Sequence, residues 1–439
     1  MVNVSGEWAR ATRRLISPYE SYTRRGFSLA YSNTFAKSLR FEIGGTGNIG
    51  GMNSEDDPDA FSGEYSKVRD NAFRANTALN WQLNLPWVTS IRLEGSVNYT
   101  DNLAHTHKFN TYGSNQPSVH AEQEGYHLAD RLPLTFFSDQ IVDSKELDWA
   151  ASFKYELTRR WNEVKSSFKA GAQWKASGNA GQGEYYLDPS LAANGYRPRP
   201  YSDYPYMHNL SFYGEEDLLL PIGGTKLQLV AGLRMENVFI EGTSYDHMNT
   251  FSPRFNARWQ FSDALAVRGG WGVTEKLPSF YILYPKQEYR DIQTFGFSHG
   301  DSSSYVYYTQ PFSVVYNPEL RWQRGQNAEL GVDARLLGAK ISLVGFYNRT
   351  THPYKISSLY TPFSYNILQQ PSGFTMPDDP QIRVDNQTGD VFLRAGDDSW
   401  WQPMDVKVQD RTFVKSTRQD NGARMDRAGA ELTLDFPQI

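Results

Sequence analysis

The chain has 439 residues, of which 39% are hydrophobic, 14% aromatic and 21% charged, with a formal net charge of −5. Its basic and acidic residues are mixed throughout, which leaves no electrostatic case for nucleic-acid binding, and the absence of cysteine excludes disulfide scaffolds, Cys-zinc sites and Cys nucleophiles. No apolar run approaches the ~20 residues of a membrane helix, a test that a β-barrel escapes because only alternate residues of its strands face lipid.

The first eight residues, Met1 to Trp8, hold no basic stretch followed by an apolar stretch and so form no signal peptide. An exported chain needs one, so the expectation is a mature chain or an internal piece of a larger protein. A first strand is expected around 2–10, followed by 26–34, a turn at Phe35-Ala36-Lys37-Ser38, and a strand at 39–45. The loop at 46–64 carries the acidic tip Ser54-Glu55-Asp56-Asp57-Pro58-Asp59. The twelve-residue calcium-loop pattern is missing there, which favours a solvated turn. Gly44-Gly45-Thr46-Gly47 has no helical pattern behind it and so is no phosphate cradle.

Strands at 74–83 and 91–99 flank the turn Leu85-Pro86-Trp87. In the second, Ile91, Leu93, Val97 and Tyr99 alternate with Arg92, Glu94, Ser96 and Asn98. A long loop follows at 102–145. It holds His105-Thr106-His107, with His120 and His127 nearby. Two imidazoles at i and i+2 could share a metal, but the spacing fixes no third ligand, and the pattern reads as solvated loop histidines. No metal site is expected.

Strands at 149–157 and 164–175 enclose a turn from Arg159 to Glu163, and a second long loop covers 177–206. The segment 207–219 is interrupted by Glu215, Glu216 and Asp217. After the turn from Pro221 to Thr225 the pattern is clearest. Leu227, Leu229, Ala231, Leu233 and Met235 fall on one face, and Lys226, Gln228, Arg234 and Glu236 on the other. Residues 254–261 repeat it, with Phe255, Ala257, Trp259 and Phe261 against Arg254, Asn256, Arg258 and Gln260. Further strands are expected at 264–273, 328–335, 341–347 and 428–436, giving about fourteen segments near the ~9–11 residues that a tilted strand needs to span a bilayer.

The connections alternate between short turns and long irregular loops, the longest at 277–321 and 351–420. This is the signature of a transmembrane antiparallel β-barrel with short periplasmic turns and long extracellular loops. A soluble sandwich would not carry an apolar stripe opposite a face of Arg, Lys and Glu on nearly every strand. A propeller would repeat every ~40–50 residues. Arg234, Glu236, Arg258 and Arg268 then face a wet or plugged lumen, because in lipid each Lys or Arg near the midplane costs ~2–4 kcal/mol. Exposed aromatics on mobile loops suit ligand capture. Tyr305, Tyr307, Tyr308, Phe312 and Tyr316 crowd one loop, and Trp400 and Trp401 another. They are the candidate ligand-binding residues, the alternative being that they pack loops together. Asp378-Asp379 and Asp397-Asp398 read as solvated turns. No catalytic constellation and no cofactor motif stand out.

Three stretches resemble the TonB-dependent receptor family of outer-membrane transporters. The first runs from Ser252-Pro253-Arg254-Phe255 through Arg268-Gly269-Gly270-Trp271-Gly272 to Lys276-Leu277-Pro278-Ser279-Phe280. The second is Asn317-Pro318-Glu319-Leu320 with Asn327-Ala328-Glu329-Leu330-Gly331. The third is Asn421-Gly422 with Arg427-Ala428-Gly429-Ala430-Glu431-Leu432. Arg321-Trp322-Gln323 departs from the family's Lys-Pro-Glu-like tripeptide. Loop style and Trp/Tyr richness are similar to the Bacteroidetes branch. The resemblance, over about residues 22–436, implies part of a 22-stranded barrel in a Gram-negative outer membrane. It also implies a plug domain, a TonB-contacting segment and C-terminal strands that this chain does not show. The implied activity is binding of a scarce nutrient (an iron chelate, cobalamin, a glycan or a peptide) and its import with TonB-coupled energy. The implied partners are outer-membrane lipid, TonB with its inner-membrane energising complex, and that ligand. A passive porin and an outer-membrane adhesin share the strand signal.

Overall fold

In the computed structural model the alternating segments are neighbours in one antiparallel sheet of fifteen strands. The structure describes residues 1–436 apart from 14–16, 60–61, 112–118, 130–131, 193–194, 241–246, 279–286, 300–301, 313–316, 318, 337, 370–372, 376, 378–379, 398 and 402–405. Tyr316, Pro318, Ser279, Phe280, Asp378, Asp379 and Asp398 therefore lie outside the described residues. The wall begins with β1 (Val2–Arg13), β2 (Ser17–Phe35), β3 (Leu39–Ser54), β4 (Tyr65–Leu85) and β5 (Val88–Thr111). After the short β6 (Gly125–Leu128) of an outer loop it continues through β7 (Thr135–Trp161) and β8 (Val164–Asn179). β9 (Gly183–Tyr186) pairs with β7 beside the main path. Then come β10 (Met207–Ile222), β11 (Thr225–Ile240), β12 (His247–Ser262) and β13 (Leu265–Lys276). In the outer loops lie β14 (Glu288–His299) and β15 (Ser302–Phe312), then β18 (Tyr354–Gln369), β19 (Gln381–Val384), β20 (Val391–Arg394) and β21 (Val406–Asn421). β16 (Gln323–Leu336), β17 (Ala339–Thr351) and β22 (Met425–Asp435) complete the wall. Each wall strand pairs with its predecessor and successor along the path, and among the described residues β1 pairs only with β2 and β22 only with β17.

Register explains why one face is greasy. Leu227 lies opposite Trp259, Phe255 opposite Trp271, Trp259 opposite Val267, Val332 opposite Leu343, and Leu343 opposite Leu432. Such cross-strand pairs stabilise a sheet locally, yet Phe255, Trp259, Trp271, Leu343 and Leu432 are exposed. A soluble protein does not present apolar surface on this scale, whereas a strand in a bilayer must. The interrupted segment 207–219 resolves by parity. Glu215 and Asp217 take the polar face, and Glu216, opposite Phe168 and Ala231, takes the apolar one. There its carboxylate accepts a hydrogen bond from the Ser166 hydroxyl at 2.6 Å.

The turns are as short as expected. Ile222 and Thr225 are joined by Gly223 and Gly224, at φ 54° and 82°. This is the two-residue, double-positive-φ hairpin that matches strand twist and that glycine adopts without a Cβ clash.

Two expectations change. The wall strands run from 11 to 27 residues rather than about ten, because their ladders continue beyond the apolar band, where water would otherwise have to satisfy the backbone. The long loops, expected to be irregular, contain β6, β14, β15 and β18–β21. β18 and β21 pair over their whole length as an outward continuation of the β17–β22 hairpin.

Candidate functional site

The polar face is cross-linked from strand to strand. Arg254 on β12 reaches across β11 to Glu215 on β10, passing over Gly232, where an added Cβ would stand 2.9 Å from its Nε. Arg268 on β13 lies over Gly331, pairing with Asp333 at 3.5 Å and Glu329 at 3.7 Å. Arg258 joins Asp333 at 3.6 Å. Gly232 and Gly331 thus make room for the Arg254 and Arg268 side chains lying along the wall, and Gly270 makes room for the Asn256 side chain. A polar recess of about 500 Å³ opens here, bounded by Glu215, Arg234, Glu236, Arg254 and Glu275. These are half-exposed ion pairs worth little stability each. Their consequence is a hydrated inner surface bearing both signs of charge.

Above the wall, three outer loops are knitted into a cap. β6 adds a strand to the β14–β15 hairpin, with Tyr307 opposite His127 and Tyr308 opposite Tyr126. The Tyr126 hydroxyl accepts from the Asn366 amide at 2.7 Å, and the Tyr126 amide donates to Asn386 O at 2.9 Å, which joins the loop after β17. Tyr126, Phe295, Val306, Tyr308, Tyr365, Leu368, Val391 and Leu393 form its apolar core. Arg197, from the loop after β8, is only 3% exposed. Its guanidinium donates to Val119 O and Ala121 O, each at 2.8 Å, pairs with Asp291 at 3.1 Å, and stacks on the Tyr289 ring at 4.6 Å. One side chain therefore ties together three loops that are far apart in sequence.

The Asn-Pro-x-Leu stretch is a staple at the cap's base. Asn317 Nδ2 donates to Gln419 O at 3.1 Å and Asp420 Oδ1 at 2.6 Å, and Leu320 is buried with Val238, Ile240 and Met248. Asn421 Nδ2 in turn donates to Arg321 O at 2.9 Å and His352 O at 3.0 Å. Beside it, the Tyr354 hydroxyl donates to Lys276 O at 2.7 Å and accepts from the Gln323 amide at 3.1 Å, and burial pushes its phenol up to about 12.

Of the aromatic candidates, Tyr307 and Tyr308 are 5% and 7% exposed and sit inside the cap, and Tyr305 is half-buried against Val119 and Tyr307. Burial raises the Tyr308 phenol, and its hydrogen bond to Glu124 at 2.7 Å raises it further. Trp401 is 38% exposed. Its backbone pairs with Leu393, and its ring lies 5.7 Å from Phe374. Trp400 is half-buried beneath the guanidiniums of Arg383 and Arg394. The structure thus packs Tyr305 with Tyr307 on one face of β15, sets Tyr308 in the core on the other face, and keeps Trp400 on the far side of the β19–β20 hairpin. The sequence reading overlooked Arg197, Arg383, Arg394 and Phe392. A signal existed for the last three in Gln381-Ile-Arg-Val384 and Val391-Phe-Leu-Arg394, two period-2 runs inside a stretch expected to be irregular.

His105 and His107 are on β5, not in a loop. Both donate to Asp139 Oδ1 of β7, at 2.6 and 2.8 Å, and the His107 ring lies between Tyr65 at 4.7 Å and Phe137 at 4.6 Å. Burial pushes the Asp139 carboxyl up, but the two imidazole hydrogen bonds outweigh it and hold the carboxyl below its usual range. Among the described residues no three such side chains are placed to hold a metal ion. The acidic tip at 54–59 satisfies itself, with Asp56 accepting from Ser62 and Gly63.

A family profile described as TonB dependent receptor-like, beta-barrel matches residues 8–434. No curated protein matches the sequence. Among solved structures, the RagAB peptide importer aligns at 10% identity and a TM-score of 0.53, covering 99% of this chain and 46% of that one. The copper transporter OprC aligns at 11% and 0.50, covering 100% and 55%. The siderophore receptor PirA of Pseudomonas aeruginosa aligns at 16% and 0.40, covering 98% and 62%. The chain thus spans about half to three-fifths of the length of these relatives.

Proposed function

Because the chain belongs to the TonB-dependent receptor β-barrel family, we propose that it is the ligand-recognising barrel portion of an outer-membrane importer. It is an outer-membrane protein of a Gram-negative bacterium, crossing the bilayer many times with its strands. The observation that supports the importer reading is the coexistence of a polar, charge-lined inner wall with a cap of interlocked outer loops on a sheet whose other face is apolar. A passive pore has no use for a cap with its own core. A bare adhesin has no use for the wetted wall.

In this reading the ligand is a scarce nutrient from outside, and Trp400 and Trp401 meet it. Tyr305, Tyr307 and Tyr308 hold the loops that present them. TonB and its inner-membrane complex supply the energy through a plug segment. We assign the plug and the remaining strands to chain outside residues 1–439, which the length of the relatives and the edges of β1 and β22, unpaired among the described residues, support. The reading includes no enzymatic step and no cofactor.

The test is uptake in the cells of origin. Uptake of the nutrient that supports growth through this protein stops when the proton-motive force is collapsed or TonB is deleted. Uptake that persists under both conditions marks a passive pore instead.

A further inference from the structure

The β19–β20 hairpin is two-faced. Cross-strand partners share a face, so Ile382 with Leu393 and Val384 with Val391 form the underside, and Gln381 with Arg394 and Arg383 with Phe392 form the top. The underside is sunk into the cap core, Val391 and Leu393 completely. The turn is fixed as well. Asp385 accepts from the Gln387 and Thr388 amides at 3.0 and 2.8 Å, and Lys407 pairs with Asp390 at 2.6 Å. Two backbone hydrogen bonds, Leu393 N to Trp401 O at 2.8 Å and Trp401 N to Leu393 O at 3.0 Å, pin a third segment alongside. They set Trp400 over the top face.

On that face the charges and rings interleave. The Arg383 guanidinium lies 4.8 Å from the Phe392 ring centre and 5.1 Å from that of Trp400, and the Arg394 guanidinium lies 5.2 Å from Trp400. Arg394 donates to Gln381 Oε1 both from Nε, at 2.9 Å, and from Nη2. Among the described residues neither guanidinium has a carboxylate partner, although Asp and Glu outnumber Lys and Arg by 49 to 44 in the whole chain. Stacking occupies the face of a guanidinium and leaves its in-plane N–H donors for a planar oxyanion. In Arg394 the Nε donor and one at Nη2 are taken by Gln381, so it is the terminal Nη1–Nη2 edge that would meet one. The rings also hold both side chains in place, so little rotamer freedom is lost when an anion arrives.

We propose that Arg383, Arg394, Trp400 and Phe392 form an outward-facing binding site for an organic polyanion bearing carboxylates. Diagonal positions on a strand pair stand ~7–8 Å apart, which suits a ligand presenting two or more anionic groups rather than one. The site rests on the receptor reading above, in that the cap must face the external medium.

The probes are trigalacturonate, with a carboxylate on each ring, maltotriose as a neutral trisaccharide, and inorganic pyrophosphate. Each is titrated calorimetrically into the full chain in detergent micelles. The expected result is binding of trigalacturonate that weakens at least tenfold between 50 and 300 mM NaCl. Arg383→Gln combined with Arg394→Gln weakens it at least tenfold, Trp400→Leu several-fold, and maltotriose binds no better to wild type than to the double variant. The salt dependence is read on the wild type and so stands even if a variant misfolds. Equal affinity in wild type and double variant, equal binding of maltotriose, binding of pyrophosphate alone, or no binding of trigalacturonate overturns the site. The receptor reading is checked separately with Gln387→Cys on whole cells, the chain having no other cysteine. Labelling by a membrane-impermeant maleimide with no trigalacturonate binding removes only the anion site. A hairpin shielded from the label removes both.

Discussion

Arg197 shows how much of the cap depends on one charge. With Asp291 it forms a pair that is almost wholly out of water, and removing one member of such a pair leaves the other charge buried and uncompensated, at about 3–5 kcal/mol. Arg197→Ala is therefore expected to loosen the segments around 119–121 and 289–309 by that amount. Hydrogen exchange would show lost protection there, with the barrel strands unchanged. Undiminished protection would mean that the apolar core alone holds the loops. Asp139 supports a second prediction. Its folded-state carboxyl lies below the ordinary 3.8, so its stabilisation of the outer ends of β5 and β7 is fully present above that value and is lost as pH falls through the lowered one. Exchange at residues 105–107 and 137–139, corrected for intrinsic rates, should accelerate below pH 4 in wild type. In Asp139→Asn it should already be fast at pH 6. Identical profiles would remove the histidine–carboxylate clasp. Neither cluster was legible in the sequence. Arg197 and Asp291 lie 94 residues apart, and His105 finds Asp139 only through strand register.

At the level of elements, the wall strands were legible because each must satisfy two solvents at once. Period-2 alternation along β11 and β12 is the direct imprint of lipid on one side and a wet lumen on the other. The imprint can be tested within one strand. Leu229→Lys puts an ammonium on the apolar face and is expected to cost ~2–4 kcal/mol of stability in the bilayer. Gln228→Lys, one residue earlier, is expected to be nearly neutral. Urea titration of the barrel in vesicles reads the difference, and equal effects would mean that β11 does not lie between two such environments. Glu216 is the exception that alternation could not place. Three acidic residues in a row put one on each parity in turn, and the carboxylate left on the apolar face is met by Ser166. The cap elements were not legible for a different reason. β18 and β21 alternate poorly because neither face meets lipid, and β19 and β20 are four residues each, too short to stand out among turn-forming neighbours. What stabilises them is tertiary, an apolar underside supplied by β6, β15 and β18.

For the whole molecule, connection lengths carried the topology. Short turns on one side and long excursions on the other order the wall strands in sequence, and that order is observed from β1 to β22. The number of wall strands agrees with the alternating segments counted in the sequence, and their lengths do not, since the ladders outrun the band of apolar side chains. Family resemblance rested on stretches that the structure explains physically. Gly331 makes room for Arg268 and Gly270 for Asn256 on the inner wall, and Asn317 and Asn421 stitch the cap to the rim.

The claim on which all of this depends is that the greasy face meets acyl chains and the charged face meets water. Because the chain lacks cysteine, single cysteines can be placed one at a time from Gln228 to Glu236, spin-labelled, and compared in lipid vesicles for collision with oxygen and with a water-soluble nickel chelate. Labels at Leu229, Ala231, Leu233 and Met235 should favour oxygen, and labels at Gln228, Val230, Arg234 and Glu236 should favour the chelate, alternating residue by residue. A profile without that alternation, or with its phase reversed, would contradict the account.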